Sequence, residues 1–272
     1  MSKDTARQMI NLCSVILALT VNVLASALPL NRQNTGEISD RFQVYFVPAG
    51  YVFSIWGFIY LGWIAFLIFQ FQRLQKENPR LRRLGYLFAL SNLANAAWLL
   101  CWHYNQFGLS VLVMLALLGL LIGSYLRLNV NHVAVSRLEY WSVDVLFSVY
   151  LGWITVATVA NISDWLYSIG WNAFGISAQA WAVIMLFVAS LLGLAMAISR
   201  GDVGYLIVLV WAFIGIAVKQ ASAPVVAASA WIAAVLMLSL IIYSWISRQP
   251  ADPSPYRFRH FLRIFTSSIS KK

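Results

Sequence analysis

The side chains in this 272-residue sequence best suited to chemistry are tryptophans and asparagines set at helical spacing within apolar runs. Phe53, Trp56, Tyr60 and Trp63 recur at i, i+3, i+7 and i+10, which puts four rings on one helix face. Asn92, Asn95, Trp98 and Trp102 make a second stripe. Tyr150, Trp153, Ala157 and Asn161 make a third, with a small residue inside it. Aromatic walls with a few polar groups to fix orientation suit a flat apolar ligand. Helix packing, with asparagines bonded between helices, is the other reading of the same pattern. Of the twelve tryptophans, Trp102, Trp141, Trp165, Trp171 and Trp245 lie near the ends of apolar runs, where interfacial anchoring accounts for them. Trp56, Trp63, Trp98, Trp153 and Trp211 lie deeper, where a buried indole N–H needs an acceptor.

Other chemistry is sparse. No Ser/His/Asp set, paired carboxylate or phosphate-binding loop stands out, so no catalytic residue is assigned and no enzyme is required. No Cys/His cluster has metal spacing, and no metal ligand is assigned. Cys13 and Cys101 read as small apolar core residues. Asp144 lies about one turn inside the fifth apolar run, where an acid raises a second function, a proton- or ion-coupled small-molecule carrier. So close to the end of its run, Asp144 is expected instead to reach water or pair with Arg137. His103 stands alone at the end of the third run, where a histidine is more often structural than titrating. Lys219 ends the seventh run, too near an edge for a buried Schiff-base lysine.

The elements that hold these residues follow from composition. Hydrophobic residues make up 61% of the chain and charged residues 10%, against roughly 25% charged in a soluble domain. Apolar runs of this length mean membrane-crossing helices, because a crossing takes ~20 apolar residues and lipid leaves the backbone no other partner. The fold class is therefore an all-α polytopic membrane helical bundle of about eight transmembrane helices. They run roughly over 8–30, 49–72, 84–104, 107–128, 140–162, 178–199, 203–219 and 225–247. The last two are separated by Pro224. Lys3, Arg7, the Arg73–Arg83 turn, Arg127, Arg137, Arg200 and the C-terminal basic residues fall on one side, and only Arg32, Arg41 and Lys219 on the other. The positive-inside bias then puts both termini in the cytoplasm and the chain in the cell (inner) membrane as a multi-pass protein. The formal charge of +10 meets anionic headgroups. Membrane lipids are thus expected partners and nucleic acid is not, since no soluble basic face exists to bind it.

Lys3, Arg7, an apolar stretch and Ala25-Ser26-Ala27 follow the order of a signal peptide. The stretch is long for one, however, and Asn11 and Asn22 suit a helix packed in a bundle. It is read as retained; cleavage would leave seven helices. After Pro250, Pro253 and Pro255, the residues Phe258, Phe261, Leu262 and Phe265 recur at helical spacing among Arg257, Arg259 and Arg263. That fits either a basic helix on the membrane surface or a disordered tail. With helix 2 starting outside and helices 3 and 5 ending there, all three aromatic stripes fall in the outer half of the bilayer, at one depth.

Three segments resemble the tryptophan-rich sensory protein, or translocator protein (TspO/MBR), family. Pro48-Ala49-Gly50-Tyr51-Val52-Phe53-Ser54-Ile55-Trp56 with Tyr60 is similar to the start of that family's second helix, Asn92-Leu93-Ala94-Asn95-Ala96-Ala97-Trp98 to its third, and Tyr150-Leu151-Gly152-Trp153 through Asn161 to its fifth. The resemblance covers about the first 165 residues. It implies a five-helix module over 1–165, three added helices over 166–247 and a basic cytoplasmic tail over 248–272. It further implies binding of a tetrapyrrole (porphyrin) or similar flat hydrophobic small-molecule ligand, for sensing or transport, with no cofactor required; a homodimer is left open. The ligand-binding residues it implies are Pro48, Phe53, Trp56, Tyr60, Asn92, Asn95, Trp98, Tyr150, Trp153 and Asn161. The sequence also departs from the family pattern. The helix 2 segment is one residue shorter, with Ser54-Ile55 in place of Gly-Pro-Val. Asn92 replaces a glutamine, and the Thr-Arg pair of many members' first helix has no counterpart. The sterol motif after helix 5 is absent, although Leu121, Tyr125 and Arg127, and Leu240, Tyr243 and Arg248, fit its loose pattern elsewhere.

Overall fold

A backbone N–H or C=O inside lipid has no water to bond, so each long apolar run closes its hydrogen bonds on itself. The structure, a computed structural model, describes residues 2–27 and 30–246. Among these there are eight long helices and no strand. They are α1 (Lys3–Ala27), α2 (Ile55–Phe71), α3 (Leu87–His103), α4 (Phe107–Leu128), α5 (Arg137–Ser168), α6 (Ala178–Arg200), α7 (Val203–Lys219) and α8 (Pro224–Ile246). By length and composition α1, α4, α5, α6, α8 and the segment Gly50–Phe71 can each cross a membrane. The remaining two, α3 and α7, have 17 residues each, or about 25 Å of helix, at the short end of what a crossing takes. The chain is a multi-pass membrane protein.

Punctuation is local and readable. Pro224 occupies the first turn of α8 and begins a new helix. Asn129 and Gly201 take left-handed conformations that end α4 and α6. The third apolar run is interrupted: a short helix over Pro79–Leu84 ends at Gly85, whose φ of 61° a side chain would oppose, and α3 begins beyond it. A 3₁₀ turn over Gly50–Ser54 leads into α2, and a π turn over Tyr140–Asp144 interrupts α5 near its start. The helix α5 is central: 67% of its apolar window is buried, against 28% for α8 at the periphery.

The two ends of the bundle are tied differently. At the N-terminal end, Arg80 donates to Glu139 and to Asp144, both at 2.7 Å, and to the Leu128 carbonyl at 2.9 Å. Arg82 bonds Asp4, Arg7 donates to the Lys76 carbonyl, and Arg200 reaches Asn129. This end gathers the start of α1 and the α2–α3, α4–α5 and α6–α7 turns, which carry most of the basic residues. Asp144 is buried and paired with Arg80, not with Arg137 as the sequence suggested. The π turn and the Asn78-capped short helix bring the two together.

Two other expectations are corrected. Cys13 is exposed and Cys101 only half-buried, both free. The inward face of α1 is taken by Gln8, Asn11, Ser14, Val15, Ala18 and Asn22, which leaves Cys13 on the lipid side. Trp102 is 3% exposed, not an interfacial anchor, because the loop after α1 folds over it. The expected tail helix over 258–265 lies outside the described residues.

Removing one partner of a buried ion pair strands the other charge. Arg80→Gln is expected to cost about 3 kcal/mol of stability, read as a lower unfolding temperature in detergent, whereas Arg83→Gln leaves it unchanged. Pairing Arg80→Met with Asp144→Leu should recover much of the loss.

Candidate functional site

At the end of the bundle away from the N-terminus, side chains of α2, α3 and α5 border a narrow space with a cavity volume of about 40 Å³, part of it open to the surroundings. That is well below the roughly 300–1,000 Å³ of small-molecule pockets, so a ligand of that size enters only where the rings part. Its walls are Phe53 and Trp56 from the start of α2, Trp98 and Trp102 from α3, and Trp153, Val156, Ala157, Ala160, Asn161 and Asp164 from α5. Val47 and Pro48 close one side, and Thr35 and Ser39 cover it.

The rings form one network. Trp56 stacks on Tyr60 and Trp98 with centroids 6.0 and 6.3 Å apart, and Trp98 stacks in turn on Trp102 at 6.1 Å. Trp153 meets Trp56 and Phe53 edge-on at 6.3 and 5.7 Å. Each such pair is worth about 0.5–1.5 kcal/mol beyond its area burial, so the rings support one another's placement. Asn161 holds one wall: its Oδ1 accepts from Trp98 Nε1 at 3.1 Å, and its Nδ2 donates to Ser110 at 2.9 Å. Along α5, Trp153, Ala157, Ala160, Asn161 and Asp164 share a face, and the two alanines leave the volume that larger side chains would fill.

The cover is a short helix, Thr35–Asp40, with a capping box between Asn34 and Glu37. Asn-x-x-Glu is legible in the sequence as a helix start. Below it, Trp102 Nε1 donates to the Thr35 carbonyl at 3.2 Å. His103 is fully buried. Its Nδ1 donates to the Leu30 carbonyl at 3.1 Å, and its Nε2 shares a hydrogen bond of 3.1 Å with the Thr35 hydroxyl. Arg41 bonds Asn105 at 2.7 Å, and Lys219 from the end of α7 pairs with Asp40. The histidine is a structural tie between loop and bundle.

Of the residues expected at a site, Pro48, Phe53, Trp56, Trp98, Trp153 and Asn161 line this space. Tyr60, Asn92, Asn95 and Tyr150 lie a layer deeper. Tyr60 donates to Asn22 Oδ1 at 2.7 Å, and Asn22 Nδ2 donates to Asn95 Oδ1 at 2.8 Å. Asn92 donates to Ser14 at 3.3 Å, and Tyr150 packs edge-on against Trp56 and Trp63. Sequence reading put Trp102 in the helix 3 stripe but not among the binding residues, and it missed Thr35, Ser39 and above all Asp164. It ended the fifth helix near residue 162, although α5 continues to Ser168 and carries Asp164 one turn beyond Asn161. The stripe 153, 157, 161, extended by one more step, would have found it. Two atoms of lining residues, Trp153 Nε1 and Asp164 Oδ1, are buried with no hydrogen-bond partner among the described residues.

Compared with known proteins, residues 8–243 match the family model described as TSPO-like protein. The match runs past the first five helices and through most of α8. No curated protein and no solved structure matches the chain.

If His103 pins the cover, His103→Ala should speed amide exchange over residues 35–40 by about tenfold, the effect of losing one or two modest hydrogen bonds. Hydrogen-exchange mass spectrometry reads this directly, and α4 should exchange as before.

Proposed function

The chain belongs to the TSPO-like protein family, and on that premise we propose that the space between α2, α3 and α5 binds a tetrapyrrole or similar flat hydrophobic molecule for sensing or transport. The observation that carries this reading is the convergence of Trp56, Trp98, Trp102 and Trp153 from three helices on one space. Flat ligands gain from offset and edge contacts with such rings. Binding needs no catalytic group. Pro48, Phe53 and Asn161 complete the contact set in this reading, while Tyr60, Asn95 and Tyr150 back the rings. The first five helices act as the binding module and the last three as a brace, with α7 holding the start of α2.

The carrier reading rested on Asp144. That carboxylate is already paired with Arg80 at the end of the bundle far from the space, so binding is favoured over proton coupling.

The N-terminal end of the bundle, rich in Arg and Lys, faces the cytoplasm in this proposal, and the pocket sits in the outer half of the inner membrane. A membrane-impermeant maleimide should label Asn172→Cys in intact cells and Arg83→Cys only after permeabilisation; the reverse pattern inverts the topology. Native Cys13 and Cys101 provide the background control.

Protoporphyrin dimethyl ester, flat and uncharged, tests the pocket. It should quench tryptophan fluorescence saturably, and Trp98→Ala and Trp153→Ala should each weaken binding by about tenfold. Trp245→Ala, at an exposed position far along α8, should not. Equal binding by all of these variants removes the pocket.

A further inference from the structure

The lining of this space is apolar or neutral except at one point. Asp164 is 1% exposed, and the residue borders the space together with Thr35 and Ser39 of the cover helix. Oδ2 has one contact, the Ser39 hydroxyl at a long 3.4 Å, and Oδ1 has none among the described residues. Among the described residues no Lys, Arg or His borders the space. Basic groups around it are committed elsewhere: Lys219 pairs with Asp40, Arg41 bonds Asn105, and His103 bonds Leu30 and Thr35. A buried carboxylate that lacks a partner is costly, and the usual remedy is a cation or a strong donor brought against it. Among the described residues no hydrogen-bond donor meets Oδ1, Lys219 acts on the carboxylate only through its charge, and the residue borders the space.

Resting on the reading of this space as a ligand pocket, we infer that Asp164 selects the ligand's polar end: a flat apolar molecule bearing a protonated amine or N–H donor, in preference to one bearing a carboxylate there. The surroundings favour the same class. Indole faces attract cations, most strongly where water is excluded, and Trp98 and Trp102 stand in the same lining as Asp164. A molecule carrying acid groups fits only with those groups turned away from Asp164. Aromatic walls by themselves accept any flat ring, so the acid sets the polarity that the rings do not.

Three matched probes separate the ideas: 9-aminoacridine, a flat cation with N–H donors; acridine, its neutral parent; and acridine-9-carboxylate, its anion. Each competes against protoporphyrin dimethyl ester on the full chain in a neutral detergent. The wild-type protein should bind 9-aminoacridine at least about tenfold tighter than the carboxylate. Asp164→Asn should bring the two within about threefold while leaving acridine unchanged. Asp164→Glu, which keeps the charge, should retain the preference. If Asp164→Asn does not fold, the wild-type contrast and the glutamate variant decide alone. Equal affinity for amine and carboxylate, with the ester and acridine still bound and still weakened by Trp98→Ala, overturns the role of Asp164 and leaves the pocket standing. An undiminished preference in Asp164→Asn overturns it too. Failure of acridine and the ester to bind at all removes the pocket, and this inference with it.

Discussion

Inside a bilayer there is no water to satisfy a polar side chain, and lipid tails are as apolar as leucine, so burial alone does not hold helices together. Polar groups must therefore find each other, and in doing so they position the bundle. At the N-terminal end the Arg80 guanidinium joins Glu139, Asp144 and the Leu128 carbonyl. Nearby, the buried Asp202 carboxylate accepts from Tyr125 OH at 2.5 Å, Ser148 Oγ at 2.7 Å and the Tyr205 N–H at 3.1 Å, which ties α4, α5 and α7 at one point. Along α1 a polar seam at helical spacing does the same work: Gln8 and Asn11 bond Gln70 on α2, and Asn22 links Tyr60 to Asn95. The same seam accounts for the burial of α1 in the bundle.

The three C-terminal helices are bound to the site through backbone contacts. The Ala49 N–H donates to the Gly215 carbonyl at 3.1 Å, and Trp211 Nε1 donates to the Val52 carbonyl at 3.1 Å. Both contacts fix the turn that presents Pro48 and Phe53 to the space. The approach of α7 to α5 is close enough that a Cβ on Gly152 would lie 3.1 Å from Val208 Cβ and 3.2 Å from the Tyr205 carbonyl. Helix α7 therefore shapes the wall opposite α3 from behind. The family match through residue 243 is consistent with helices that complete the bundle instead of hanging from it. Tyr125, which fits a loose sterol pattern by sequence, spends its hydroxyl on Asp202.

How much of this was legible depended on whether the signal was periodic. The fold class and the three aromatic stripes could be read because a repeat of three to four residues puts side chains on one face whatever lies opposite. Partners across the bundle could not be read that way. Arg80 and Asp144 are 64 residues apart and meet only because a π turn rotates one and a capped short helix presents the other. Trp102 looked interfacial because nothing in its own helix announces that the Thr35–Asp40 segment folds back over it. Asp164 was lost at a boundary, since the polar residues after Asn161 resemble a loop while α5 in fact runs on to Ser168. The asparagines divided for a similar reason. Asn161 faces the space, whereas Asn92 and Asn95 face α1, a direction set by where α1 packs and not by their spacing.

That division bears on how the space can discriminate. Its rings are fixed by one another, and ring faces distinguish flat molecules poorly. Among the polar groups, Asn161 is occupied by Trp98 and Ser110, the Thr35 hydroxyl by His103, and the Ser39 hydroxyl by Asp164. Among the described residues this leaves the Trp153 indole N–H, a donor, and one Asp164 carboxylate oxygen as the buried polar atoms of lining residues with nothing bonded to them. The two lie on one face of α5, eleven residues or about 16 Å of helix apart. Beneath the rings, Tyr60 donates to Asn22 and Asn22 donates to Asn95. Other buried atoms among the described residues are unbonded too, Asn95 Nδ2 and Tyr150 OH beneath the rings among them, so it is the place of Trp153 and Asp164 in the lining, one a donor and the other an acceptor, that would give a bound molecule a direction.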